Sequence, residues 1–181
     1  MFKEGYQIRD QHALHFLTFT IVGWIDIFTR QQYRDIVINS FNYCRQHKSL
    51  RIGAYVIMSN HLHVIWQTDN NLSDIIRDFK THTSRAITDA IRNESESRRD
   101  WLLYMFNFYA NQTNANNNFK VWTNNNHPEE IHTESFMNTK LDYIHNNPVR
   151  AGLVAEPQHY LYSSASNYMI GKGLVDIDML Y

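Results

Sequence analysis

Residues Arg51 to Thr68 read RIGAYVIMSNHLHVIWQT, and this stretch decides the fold. Arg51 to Met58 (RIGAYVIM) is dense in β-branched and aromatic types and predicts a strand; His61 to Thr68 (HLHVIWQT) predicts a second. Ser59-Asn60 between them leaves room for a short turn, so the two form a hairpin. On a strand, residues i and i+2 point to the same face. His61 and His63 therefore lie side by side, with Leu62 turned away. Both imidazoles can reach one ion, although two half-buried sheet histidines bonded to neighbours would give the same spacing.

Working upstream, Ala13 to Val22 (ALHFLTFTIV) predicts a strand. Thr29-Arg30-Gln31-Gln32 fits a capping box, followed by Tyr33, Ile36, Val37, Phe41 and Cys44 at helical spacing to about Lys48. Downstream, Ser73 is positioned to cap a helix whose apolar stripe is Leu72, Ile76, Phe79, Thr83, Ile87 and Ala90. Its other face carries Arg77, Thr81, Ser84, Arg85 and Thr88. Charged residues 92–100 end or bend this helix. Trp101 to Ala110 (WLLYMFNFYA) reads as a buried helix, with its aromatic residues as core. Asn111 to Asn118 reads as a mobile Asn-rich loop. Phe119 to Thr123 suggests a short strand. Thr133 caps a helix to about Asn147, which Pro148 is expected to end. Beyond Pro157 the pattern allows a short helix near Ser163 to Met169 and a Gly171-Lys172-Gly173 turn.

This order predicts an α+β fold with a ferredoxin-like split βαβ core, an antiparallel sheet and helices on one face. The 181 residues suit one domain, 1–181, with 157–181 as a C-terminal extension. Lys and Arg number 17 against 18 Asp and Glu, for a net charge of −1, so any nucleic acid must be met by a local basic patch. The lone Cys44 excludes an intramolecular disulfide and a multi-cysteine zinc site. No apolar run approaches the roughly 20 residues of a membrane helix, and Met1-Phe2-Lys3-Glu4 shows no signal-peptide core. A cytoplasmic location without a membrane partner is the expectation.

In the helix after Thr133, Phe136, Lys140, Tyr143 and Asn147 stand at offsets 0, 4, 7 and 11 and share one stripe. Met137, Leu141 and Ile144 form the adjoining apolar stripe, so the helix can bury one side and present a Tyr, a Lys and an amide beside it. An ordinary packing role for each would produce the same pattern.

Three words in order change that balance. Tyr55-Val56-Ile57-Met58-Ser59-Asn60-His61-Leu62-His63 contains a histidine-hydrophobic-histidine (HUH) motif. It is followed by Tyr143-Ile144-His145-Asn146-Asn147-Pro148-Val149-Arg150-Ala151-Gly152-Leu153-Val154, and then by Tyr162-Ser163-Ser164-Ala165. From about His15 to Tyr168 the chain resembles the HUH-superfamily single-tyrosine transposases, most closely the REP-associated tyrosine transposases of the IS200-like family.

The resemblance implies the HUH endonuclease fold and cleavage of single-stranded DNA near hairpins with Mg2+ or Mn2+. It implies metal histidines at His61 and His63, a third ligand at Asn147, and the nucleophile at Tyr143. Cleavage would leave a 5′-phosphotyrosine and a free 3′-hydroxyl, and strand transfer would need no ATP. Its hairpin-binding basic residues carry over to Arg77 and Lys80; Arg85 on the same helix face, and Lys140 and Arg150 around the tyrosine, are further DNA-binding candidates. A free phenol, with a pKa of about 10, is a poor nucleophile at neutral pH, and a metal that polarises and orients the phosphate lowers that demand. Imidazole ligands favour Zn2+ or Mn2+ over Mg2+ by softness. The resemblance admits a homodimer, since insertion-sequence relatives supply the tyrosine helix in trans while REP-associated relatives act as monomers. It also implies action at the bacterial nucleoid. Where relatives carry Gln and a basic residue after the tryptophan, Trp122 is followed by Thr123 and Asn124 to Asn126. A second reading keeps hairpin binding and drops the chemistry, as in a domesticated DNA-binding protein. The joint presence of His61, His63 and Tyr143 favours the enzyme.

Overall fold

The computed structural model describes residues 7–112 and 118–180. The Asn-rich segment falls mostly outside the described residues. In chain order the elements are β1 (His15–Thr20), two short 3-10 turns (Val22–Trp24 and Ile27–Thr29), α1 (Gln31–Lys48), β2 (Leu50–Ile57) and β3 (His61–Thr68). Then follow α2 (Leu72–Asn93), α3 (Arg99–Asn111), β4 (Glu129–Glu130), α4 (Glu134–Arg150), a 3-10 turn (Pro157–His159) and α5 (Ala165–Ile170). The sheet order is β2-β3-β1-β4, and every pairing is antiparallel. β1 and β2 are thus parallel with β3 between them, which is the split βαβ arrangement.

The sheet has two different faces. Leu62, Val64 and Trp66 of β3 point to one, packed against α1 and α2. The Trp66 ring lies 5.2 Å from Phe19, 5.6 Å from Phe41 of α1 and 5.4 Å from Phe79 of α2. The expected stripe of α2 (Leu72, Ile76, Phe79, Thr83, Ile87 and Ala90) is buried throughout. The other face gathers Phe16, Ala54, Val56, Met58 and Ile65 under Ile144 of α4. The α+β sheet is as the sequence predicts, but its helices are not confined to one face. Apolar Phe16, Val56 and Ile65 would otherwise lie bare, and α4 covers them.

Several local expectations are corrected. Thr29 does not cap α1: its hydroxyl donates back to the Asp26 carbonyl at 3.0 Å inside a 3-10 turn. The α2 cap is Asn71, whose side chain accepts from Asp74 N at 3.0 Å, two residues before Ser73. Thr133 does cap α4, accepting from Phe136 N at 3.2 Å. Pro148 sits inside that helix instead of ending it. A proline so near the end forfeits only the bond to Ile144. Ala151 N still reaches Asn147 O at 3.0 Å, and Gly152, at φ 70°, turns the chain out. Phe119 to Thr123 makes only an isolated bridge, Ile21 with Trp122.

Downstream of α4, the chain covers the outer edge of β2. Ile57 N donates to Tyr162 O at 2.9 Å, Ser164 N to Tyr55 O at 2.9 Å and Asp178 N to Ile52 O at 2.8 Å. An unpaired sheet edge is a template for association, and this one is occupied. The β-bulge at Gly53 leaves a gap that the Leu180 side chain fills.

Candidate active site on the open face of β3

His61 and His63 enter the site from β3, where the strand's period of two places them on the face away from the aromatic core. Their ring centroids are 4.8 Å apart. Each ring is oriented by one nitrogen: His61 Nδ1 lies 2.7 Å from Asn60 Oδ1, and His63 Nδ1 3.0 Å from Thr18 Oγ1 on β1. With Nδ1 so engaged, Nε2 is the nitrogen each ring can offer an ion, the usual arrangement of metal-ligating histidines. His63 also stacks on Phe16 at 5.4 Å. Burial pushes the His61 pKa down, and pushes that of His63 to about 3, helped by the positive charge of Lys140 and Arg150 and by His61. Both rings are therefore neutral at physiological pH, the form that ligates.

α4 crosses this face and brings Tyr143 over the histidines. The Tyr143 ring meets His63 edge-on at 5.0 Å and Phe16 at 6.1 Å, with 38% of the residue exposed. Arg150, two turns later, donates to the Tyr143 carbonyl at 2.8 Å and lies 4.7 Å above its ring. Lys140, one turn earlier, pairs with Glu129 of β4 at 2.7 Å and sits 4.3 Å over Phe16. Lys140 and Tyr143 of the stripe expected from the helix period thus both meet this face, over Phe16 and beside His63. Lys140, however, is tied to a carboxylate and a ring, and is less free to meet a phosphate than Arg150.

Among the described residues no group of three or more His, Cys, Asp and Glu is arranged to hold an ion. Two neutral imidazoles fit one, but a third protein donor has to be of another type. The Asn147 amide, one turn after Tyr143 on the same stripe and half-buried, has the right chemistry.

The remaining expected DNA contacts lie elsewhere. Arg77, Lys80 and Arg85 line a groove of about 830 Å³ between α2 and the segment 118–126, shared with Arg92, Lys120 and Trp122. Arg77 is paired with Asp74 at 2.6 Å and Asp78 at 3.1 Å. Lys80 turns inward: Nζ donates to Thr123 O at 2.8 Å, and burial, then Lys120, lower its pKa to about 7. Arg85 remains exposed. α3 also departs from expectation: Phe106 is buried, but Tyr104 and Phe108 are 66% and 44% exposed and their rings stack at 6.4 Å. Thr18, Asn60 and Phe16 escape sequence reading, because only the strand register and the turn reveal their contacts with the histidines.

The family described as "Transposase IS200 like" matches residues 17–146, most of the chain. No curated protein matches it significantly. A solved structure of a "REP associates tyrosine transposase bound to a REP hairpin" superposes with a TM-score of 0.62 at 18% identity, covering 99% of this chain and 92% of that one. At that identity the likeness speaks for the fold.

Proposed function

The chain belongs to the IS200-like transposase family, and from that premise we propose that it is a metal-dependent single-stranded DNA endonuclease and strand-transferase acting beside hairpins. The observation that carries this reading is the approach of Tyr143 to His63, 5.0 Å between ring centroids within one chain. A phenol, two neutral imidazoles and a neighbouring amide are the parts that tyrosine-mediated phosphoryl transfer requires. In this reading the nucleophile and the histidines act from the same chain.

A divalent ion, Mg2+ or Mn2+, held by His61, His63 and Asn147 would polarise the scissile phosphate. This chain's own residues supply the rest. Tyr143 Oη forms the new bond to phosphorus and gives up its proton. The bond from phosphorus to the 3′-oxygen breaks, and that oxygen leaves with the electron pair and takes a proton. The 5′-phosphotyrosine keeps the phosphoester, so attack by another 3′-hydroxyl reverses the step without ATP. Thr18 and Asn60 fix the imidazole orientation. Arg150 braces Tyr143 and, with Lys140, provides positive charge beside the phosphate. The exposed Arg85 and its neighbours in the α2 groove supply phosphate contacts that position the strand without reading its sequence.

The relative's REP hairpin supports a hairpin partner here. Incubation with a library of hairpin-bearing single-stranded oligonucleotides and Mn2+ should give SDS-resistant adducts that map to Tyr143 and vanish in Tyr143→Phe. DNA attached to Tyr160, Tyr162 or Tyr168 would refute the nucleophile. Hairpin binding without any adduct would mark a DNA-binding protein instead.

A further inference from the structure

The row of rings at the site does not end at the histidines. Tyr143, His63, His61 and Trp24 follow one another at centroid distances of 5.0, 4.8 and 6.3 Å. Trp24 is the far end of that row and is 67% exposed. Its backbone is unusual for so bulky a residue: φ is 55°, directly after Gly23 at φ 62°. Left-handed backbone is rare for a side chain of this size and persists only where the surroundings impose it.

The surroundings do impose it. Ile21 N donates to Asn60 O at 2.9 Å, and Trp24 N to Ile21 O at 3.1 Å. Gly23 backs onto the Tyr109 ring so closely that a β-carbon there would stand 2.7 Å from its hydroxyl. Asn60 joins the turn to the site: Nδ2 donates to Trp24 O at 3.2 Å while Oδ1 engages His61 Nδ1 at 2.7 Å. One amide therefore sets both the His61 ring and the turn that carries the indole. A strained backbone that holds a large flat ring in solvent gains nothing from burying that ring, which is the pattern of a ligand platform.

We propose that Trp24 is a stacking platform for the base immediately 5′ of the scissile phosphate, the nucleotide that departs with the 3′-hydroxyl. The assignment rests on the transposase reading above. In-line displacement puts the leaving 3′-oxygen on the side of the phosphate away from the attacking Tyr143, and both histidine rings stand between Tyr143 and Trp24 in the run of ring contacts. Every base has a π-face, so such a stack tolerates sequence and fixes position. It also keeps the cut 3′-hydroxyl strand in place for the joining step.

The test compares the full chain with Trp24→Ala, Trp24→Phe and Trp101→Ala, the last removing another exposed tryptophan. The probe is a hairpin-bearing oligonucleotide that the wild type cuts, intact or abasic on one side of the cut. Trp24→Ala should raise the oligonucleotide concentration for half-maximal adduct about tenfold to a hundredfold. Trp24→Phe should recover much of that, and Trp101→Ala should behave as wild type. An abasic residue 5′ of the cut should cost the wild type a similar factor and cost Trp24→Ala little more, while an abasic residue 3′ of the cut should penalise both alike. Wild-type behaviour of Trp24→Ala, or a full 5′ abasic penalty in that variant, overturns the platform. If the wild type forms no adduct with any oligonucleotide, the transposase reading fails. The platform is then judged on quenching of indole emission by the same single strands, which it requires Trp24→Ala to lose and which, if kept, refutes it.

Discussion

β3 presents two environments along a single strand of eight residues. Leu62, Val64 and Trp66 are sealed among the aromatic rings of α1 and α2. One residue out of phase, His61 and His63 hold their rings by hydrogen bonds to Asn60 and Thr18, with Tyr143 set edge-on to His63. The first face is held by area removed from water, and its contacts are non-directional. The second is held by directional contacts. A strand fixed so firmly on one side makes a rigid mount for the groups on the other.

Substitutions should separate the two faces. Trp66→Ala empties the centre of the packed side and should cost about 3–5 kcal/mol of stability, read as a lower urea midpoint, with catalysis lost only as the fold is lost. His63→Ala should do the opposite: a stability cost of about 1–2 kcal/mol, a native circular dichroism spectrum, hairpin binding within several-fold, and adduct formation reduced by more than about a hundredfold. Equal loss of binding and cleavage in a folded His63→Ala protein would count against the ligand role.

What the sequence disclosed follows the same division. Wherever an apolar period ran for several turns, as along α2 from Leu72 to Ala90, burial on folding enforced the element the period implied. β3 is legible to the residue because its β-branched and aromatic run and its flanking turn agree. The edge strand β4 was not, because Glu129–Glu130 has no strand composition and exists through its pairing with His15 and Phe16. α3 looked buried from its aromatic content, yet its apolar residues face both inward and outward and only one side finds a partner. Lys80 is expected at the DNA, but the Thr123 carbonyl that draws it inward is 43 residues away and has no trace in the local pattern. At the candidate site the sequence singles out His61, His63 and Tyr143, which the fold brings together, while the groups that orient the histidine rings come from register and turns.

A milder change sharpens the comparison on the orienting side. Thr18→Val keeps shape and β-propensity but removes the oxygen 3.0 Å from His63 Nδ1. Loss of such an outer partner typically costs about 10–100-fold in metal affinity or activity. The Mn2+ concentration for half-maximal adduct should rise by that factor, with stability changed by less than about 1.5 kcal/mol. An unchanged Mn2+ dependence would remove Thr18 from the site.

The smallest expected effect lies at the join between α4 and the C-terminal segment. His145 Nε2 lies 2.9 Å from Ser164 Oγ, its ring packs on Tyr168 at 5.0 Å, and burial lowers its pKa from 6.5 to about 4, partly offset by Asp142. In the unfolded chain the ring takes up a proton below about pH 6.5, whereas in the folded protein it resists until about pH 4. The unfolded state therefore binds more protons across that window. His145 contributes stability that is fully present above about pH 6.5 and is lost as the pH falls towards 4. Between pH 7 and pH 5.5 its share of the loss should be about 1 kcal/mol. His61 and His63, also held neutral by burial, add to the slope in the same direction. The informative quantity is thus the difference between wild type and His145→Gln, which keeps a hydrogen-bonding amide and cannot titrate. Urea midpoints measured across this range should fall less steeply in the variant. Parallel slopes would mean that His145 is protonated in the folded protein and that its contact with Ser164 survives the charge.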